Sequence, residues 1–461
     1  MFENGNGNGG TVAAPRRERR QAGNEASAPA PAAAPRRRTE WFTEARFGLF
    51  IHWGLYAIPS RGEWVRLLER YKDEDYRRYF DEFNPTAYDP REWARLAKAA
   101  GQKYVVMTAK HHDGFCLFDS KLTSFKSTLC PARRDLIREY VDAFRAEGLK
   151  IGFYYSLIDW DHPGYPVDHM HPRQDDPAAK AETRDFEAYL DYFHGQVREL
   201  LTNYGKIDII WFDFSYGTMS GETWRATKLI ESIRRLHPDI LVDNRLTCGH
   251  EDPGRQETGF GDFTSPEQIV PAQGVVDAKG RPMTWEACIT MNETWGYKRD
   301  DRNYKSPAQL VRMLVECVSK GGNLLLNIGP DAKGRIPEPS VERLEAVGKW
   351  MRDNGASIHG CGRASLPKPD WGCYTQRGNT LYAHIFEKPV CAIPLIGLGG
   401  RVKRARLLAD GSEVDMKRPW NAGPNERDAF INFPGTALPD AIDTVVEIEL
   451  ADGDGALSAG A

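Results

Sequence analysis

The chain reads as a parallel α/β barrel followed by an all-β domain, and three observations predict this. Seven short apolar runs alternate with helical patterns between about residues 41 and 355. Several of those runs stop abruptly on a polar or charged residue, and beyond about residue 356 the helical period gives way to short alternating segments. Strands buried on both faces read as near-continuous runs of β-branched and aromatic residues. Their alternation with helices is the pattern of βα units, and 461 residues leave room for a large barrel with a smaller appended domain.

In chain order, residues 1–39 are Gly, Asn, Ala and Pro with clusters of Arg, contain almost nothing to bury, and are expected to be disordered. The domain at 40–355 is predicted to be the barrel. Its first strand is FGLFIHWG (47–54), closing on His52, Trp53 and a Gly turn. A helix at 89–101 has an N-cap Asp, Pro in its first turn and a terminal Gly. It feeds the strand KYVVMTAK (103–110), which runs into His111, His112 and Asp113. Further strands are expected at 150–156 (KIGFYYS), 207–213 (IDIIWFD), 239–245 (DILVDNR), 284–291 and 323–329 (NLLLNIG), with helices between them. An eighth strand is missing, irregular or hidden in a loop. Residues 356–453 carry runs such as GNTLYAHIFE and DTVVEIEL separated by turn residues, the pattern of a β-sandwich, and residues 454–461 look like a frayed tail.

Composition excludes several classes of function. A net charge of -4 offers no field for nucleic acid, and no apolar run reaches the roughly 18 residues of a spanning helix. The N-terminus lacks the apolar core of a secretory signal, which leads to a cytoplasmic expectation with export left open. The eight cysteines are scattered singly, with no CxxC pair and no zinc-ligand spacing. Cys288 and Cys317 fall inside apolar patterns, as buried thiols in a reducing compartment would.

The chemistry gathers at the strand ends. IDIIWFD is a buried strand that ends in a carboxylate, and in a parallel barrel an acid just past the carboxyl end of a strand faces the active site. His52, the pair His111 and His112, Tyr155, Trp211 with Asp213, and Arg245 all fall at that end. Adjacent histidines in a strand point to opposite faces, and no third ligand sits at helical spacing, so a metal is not expected. Neutral imidazoles that hydrogen-bond a hydroxylated ligand need none.

These motifs resemble the α-L-fucosidases of glycoside hydrolase family 29. The resemblance rests on FGLFIHWG, GEW at 62–64, KHHDGFCLFDS from Lys110, GFYYSLIDW from Gly152, IIWFD, VDNR, DFTSPEQ from Asp262, MNETWGY from Met291 and GGNLLLNIGPDAKGRIP from Gly321. It covers roughly residues 41–355. It implies an exo-acting, retaining glycosidase that cleaves terminal α-L-fucosides, with a degenerate (β/α)8 barrel, a C-terminal β-sandwich and no cofactor or metal. Fucosylated glycans or glycosides are the implied partners, without nucleic acid or membrane, and a homo-oligomer is left open.

Carried over by position, the resemblance makes Asp213 the nucleophile. It assigns His52, Glu63, Trp64, His111, His112, Tyr155, Trp211 and Arg245 to the sugar's hydroxyls and ring, and Trp295 to its methyl side. The motif leaves open which of Tyr154 and Tyr155 faces the pocket. A retaining mechanism needs a second carboxyl roughly 5 to 5.5 Å from the first. Glu257, Glu267 and Glu286 are the candidates, and Glu267 in DFTSPEQ best matches the family's acid/base segment.

Overall fold

The computed structural model describes residues 38–247, 259–420, 422 and 426–451. The expected disorder of the N-terminal segment, the frayed tail, and Glu257 therefore lie outside the described residues, apart from the segment's last two positions.

Seven parallel strands form one sheet: β1 (Phe47–Ile51), β2 (Tyr104–Lys110), β3 (Lys150–Ser156), β4 (Ile209–Asp213), β5 (Leu241–Val242), β6 (Glu286–Thr290) and β7 (Asn323–Ile328). Their spatial order is β5-β4-β3-β2-β1-β7-β6. The edges β5 and β6 are joined by residues 263–268, which make parallel bridges Asp243 to Phe263, Thr264 to Trp285 and Glu267 to Cys288. The Asp262 N–H donates to the Val242 carbonyl at 2.7 Å, and on the other side the Cys288 N–H donates to the Pro266 carbonyl at 3.0 Å. The hidden eighth strand is thus this segment, and it closes the barrel irregularly. Pro266 has no N–H to give to a ladder, and Gln268 sits at φ 56°, outside the β region.

Helices with readable starts cover the outside. Asp89 caps Pro90–Ala99 and Asp135 caps Leu136–Ala146, each accepting a first-turn N–H, and Ser306 with Gln309 forms a capping box on Pro307–Ser319. The short helix Glu40–Ala45 blocks the amino end of the barrel. Phe42 packs on Tyr104 and Phe263, ring centroids 5.3 and 4.8 Å away, and the Asn323 side-chain amide donates to the Phe42 carbonyl. With that end plugged, ligands can reach the barrel only from the carboxyl ends of the strands.

The β-domain has a five-stranded antiparallel sheet of β8 (Gly362–Arg363), β9 (Gly372–Arg377), β10 (Thr380–Ile385), β12 (Val402–Leu407) and β14 (Thr444–Leu450). A two-stranded sheet of β11 (Ile393–Leu395) and β13 (Ala429–Ile431) completes it. Leu381, Ile385, Ile393, Leu395, Ile431 and Ile448 share its core. Arg312, on the barrel helix Pro307–Ser319, reaches across to donate to the Ile442 and Phe386 carbonyls at 3.0 and 3.1 Å. His384 and Asp443 form a fully buried pair at 2.7 Å, and the Trp350 indole of the last barrel helix donates to the Asp443 carbonyl.

Candidate active site

A cavity of about 370 Å³ opens at the carboxyl ends of the strands. It brings together His52, Glu63, Trp64, His111, His112, Trp211, Asp213, Arg245, Glu267 and Trp295, together with Tyr154. Tyr155 is not among them, and the assignment to Tyr155 is corrected here. Paired parallel residues share a face, and Tyr154 pairs with Trp211 and Ser156 with Asp213, so the side chains that point inward on β3 are those of Tyr154 and Ser156. Tyr155 points outward, donates to the Gln196 side-chain oxygen at 2.7 Å and stacks on Phe193.

Asp213 is the last residue of β4, and each of its carboxylate oxygens is held. Arg245 Nη1 donates to Oδ1 at 3.0 Å and the Tyr154 hydroxyl donates to Oδ2 at 2.7 Å. The same Arg245 Nη1 donates to Glu267 Oε2 at 2.9 Å. One nitrogen therefore bridges two carboxylates, and the separation of the bridged oxygens cannot exceed the sum of the two bonds. That limit keeps the facing edges of the two carboxyl groups close together. Arg245 is itself fixed by Ser265, whose hydroxyl accepts from Nε and whose carbonyl accepts from Nη2, both at 3.0 Å. Its guanidinium lies 4.7 Å over the Trp211 ring. Burial works against the Arg245 charge, yet Glu267 and Asp213 hold its pKa above the ordinary arginine value.

His111 and His112 lie one and two residues beyond the end of β2, and both face the cavity with ring centroids 4.0 Å apart. The expectation that they point to opposite faces fails because strand alternation stops at Lys110, after a register shift between Thr108 and Lys110. Hydrogen-bond logic fixes two tautomers. The Asn327 side-chain nitrogen donates to the Trp295 carbonyl, so its oxygen accepts from His52 Nδ1 at 2.7 Å. Likewise Ser156 spends its hydroxyl proton on the Ile158 carbonyl and accepts from His112 Nδ1 at 2.7 Å. Nδ1 carries a proton in both rings; Nε2 is the acceptor edge of His52, and that of His112 stands 3.9 Å from Asp213 Oδ2. Burial pulls His52 down to about 4 and His111 well below the usual histidine value, His112 adding to the latter, so these two rings are neutral near pH 7.

Glu63 is buried and accepts the Gly296 N–H at 2.8 Å; burial pushes its pKa up to about 7. Trp295 lies 5.0 Å from the His52 ring. Among the described residues no group of three or more His, Cys, Asp or Glu side chains is arranged to hold a metal ion. The seven described cysteines are free thiols, six of them buried. Glu286 lies at the amino end of β6, deep in the barrel and outside the cavity lining, with the Tyr104 hydroxyl donating to it.

Five lining residues were not anticipated: Phe50, Leu67, Met170, Phe214 and Cys288. Period two along β1 and β6, continued from His52 and from Glu286, would have indicated Phe50 and Cys288. Met170 comes from the long loop after β3, where no periodicity exists to follow.

The family model for alpha-L-fucosidase matches residues 14–356. Tissue alpha-L-fucosidase of Homo sapiens is 30% identical over 428 residues, 86% of this chain and 84% of its own length. The solved alpha-L-fucosidase isoenzyme 1 from Paenibacillus thiaminolyticus is 59% identical with a TM-score of 0.87, covering 90% of this chain and 99% of that one. A Bacteroides thetaiotaomicron α-L-fucosidase, trapped as a covalent intermediate with 2-fluoro-fucosyl fluoride, is 29% identical with a TM-score of 0.77, over 90% of this chain and 96% of that one. With the barrel, the cavity and these likenesses in agreement, the chain belongs to the α-L-fucosidases of glycoside hydrolase family 29.

Proposed function

We propose that the protein hydrolyses terminal α-L-fucosides with retention, using Asp213 as nucleophile and Glu267 as acid/base. The observation that carries this pairing of carboxylates is the Arg245 bridge, which holds both at one face of a cavity closed at its inner end. An Asp213 oxygen attacks the anomeric carbon as the bond to the leaving oxygen breaks, and the Glu267 carboxyl gives its proton to that oxygen. Glu267 then takes a proton from water, which attacks the same carbon and returns Asp213 as carboxylate. Arg245 and Tyr154 keep Asp213 aimed and ionised. The edges of the neutral His52 and His111 rings and of His112 meet sugar hydroxyls, Glu63 accepts or donates according to its protonation, and Trp295 with Trp211 covers apolar ring surface. Glu286 is set aside as acid/base because it is buried away from the cavity. We place the activity on fucosylated glycans or glycosides, in the cytoplasm with export left open.

Proton NMR of an aryl α-L-fucoside during hydrolysis tests the reading. Fucose should appear first as the α-anomer. First appearance of the β-anomer, or no turnover while another aryl glycoside is cleaved, would contradict it.

A further inference from the structure

We propose that Gln268 is a positioning residue for the acid/base: its side-chain amide clamps the end of the eighth strand to Thr290 of β6 and so fixes the backbone that carries Glu267. The proposal rests on the fucosidase reading with Glu267 as acid/base. A proton donor must stand at hydrogen-bond distance from the leaving oxygen, and a misplacement of about 1 Å can cost on the order of 10²-fold in rate. Asp213 has a regular strand to hold it. Glu267 stands on a segment with few backbone bonds, so whatever secures the end of that segment sets where the acid can reach.

Two of those bonds flank Glu267. The Cys288 N–H donates to the Pro266 carbonyl at 3.0 Å, and the Gln268 N–H donates to the Cys288 carbonyl at 2.9 Å. Both neighbours of Glu267 are thus tied to one residue of β6, and Glu267, bridged to Cys288, lines the cavity with it. At Gln268 the backbone turns to φ 56°, the left-handed region that a residue other than glycine adopts at a cost and keeps only with support. The chain then leaves the barrel, with Ile269 60% exposed. Among the described residues no further bridge to β6 follows.

The support comes from the side chain. The Thr290 N–H donates to Gln268 Oε1 at 3.2 Å, and Gln268 Nε2 donates to the Thr290 hydroxyl oxygen at 3.1 Å. That hydroxyl gives its own proton to the Asn292 carbonyl at 2.6 Å and is left to accept. A backbone N–H that must donate and a hydroxyl that must accept allow the amide one orientation. Thr290 is a firm post, the buried last residue of β6, with Lys305 Nζ donating to its carbonyl at 2.7 Å. The amide therefore does at the end of the segment what ladder bonds do in a regular strand. Gln268 is not among the cavity-lining residues, so it acts through the backbone of Glu267. The Glu267 carboxyl can release Arg245 and turn toward the leaving oxygen while its own backbone stays in place.

Gln268→Asn keeps an amide on a residue that tolerates positive φ, but one methylene too short to span the clamp. The test reads kcat/KM for phenyl α-L-fucoside, whose leaving group needs a proton, against that for 4-nitrophenyl α-L-fucoside, whose leaving group needs little. Gln268→Asn should lower the ratio of the first to the second about tenfold, a part of the 10² to 10⁴-fold that general acid catalysis supplies. Thr290→Val, which breaks the clamp from the β6 side with a side chain of the same shape, should lower it likewise. In an enzyme already carrying Glu267→Ala, Gln268→Asn should leave the ratio where Glu267→Ala puts it, because the group it positions is gone. An unchanged ratio in either single variant, an equal fall with both substrates, or a further fall in the Glu267→Ala background would overturn the proposal. If Glu267→Ala itself leaves the ratio unchanged, the acid/base reading fails and the positioning role with it.

Discussion

The two halves of the barrel are built differently, and the two carboxylates proposed to carry the chemistry, Asp213 and Glu267, are divided between them. On one side β1 to β4 are five to seven residues long and pair in parallel over their lengths, with one register shift between Thr108 and Lys110 at the end of β2. On the other side β5 has two residues, and its neighbour at 263–268 is held only by isolated bridges. Asp213 ends a regular strand; Glu267 sits on the irregular one. A nucleophile must meet the anomeric carbon in line, which rewards a rigid mount. A general acid must leave its charged partner, reach an oxygen outside the ring and later reach water, so a less tightly laddered mount suits it. Its side chain is 29% exposed against 14% for Asp213, in keeping with that contrast.

The regular half gives the largest expected effect. Asp213→Gly should cut turnover on the order of 10⁴-fold or more, and azide should restore part of it by attacking the anomeric carbon from the vacated space, giving a product of inverted configuration. Near-native turnover without azide would remove Asp213 from the nucleophile's role.

Next comes the pair on β3, which separates inward from outward positions on one strand. Tyr154→Phe deletes a hydrogen bond to a charged group, worth about 1.5 to 3 kcal/mol, so kcat should fall by roughly 10 to 100-fold with little change in melting temperature. Tyr155→Phe leaves the Gln196 oxygen without that donor and should cost stability instead, about 1 kcal/mol, with kcat nearly intact. The opposite pattern would mean that the inward residue had been misidentified.

The smallest effect sharpens the irregular half. Burial pushes Glu286 up to about 8, against an ordinary value of 4.5. It therefore folds protonated, and its contribution to stability is full below 4.5 and lost as the pH rises through 8. The histidines act with opposite sign: burial lowers His52, His171 and His359 to about 4, so they weaken the fold only as pH falls below 6.5. Between pH 6.5 and 8 the carboxyl effect stands apart from theirs. In that window the melting temperature of Glu286→Gln should decline less steeply than that of the wild type. Parallel curves would show that Glu286 is already ionised in the fold.

The same division governs what the sequence makes legible. FGLFIHWG, KYVVMTAK and IDIIWFD announce themselves because a strand buried on both faces must be apolar throughout, and at or just past their ends His52, His111 with His112, and Asp213 reach the site. Residues 263–268, FTSPEQ, carry polar side chains and a proline and have no period to detect. The ring closes there through backbone bonds, and the Arg245 bridge depends on tertiary placement. Only the likeness of DFTSPEQ to a family motif pointed to Glu267. Tyr154 could have been chosen over Tyr155 from strand parity with Trp211 and Asp213. The direction of His111 and His112 could not, because it depends on where the strand stops.

The irregular eighth strand is proposed to supply the acid/base, and Glu267→Ala decides whether it does. Kinetics with aryl fucosides of graded leaving-group pKa, with and without azide, give the answer. The variant should lose about 10² to 10⁴-fold on poor leaving groups and far less on good ones, and azide should accelerate it to give a fucosyl azide of retained configuration. A loss independent of the leaving group, with no retained azide product, would contradict the assignment and move the acid/base to another carboxyl.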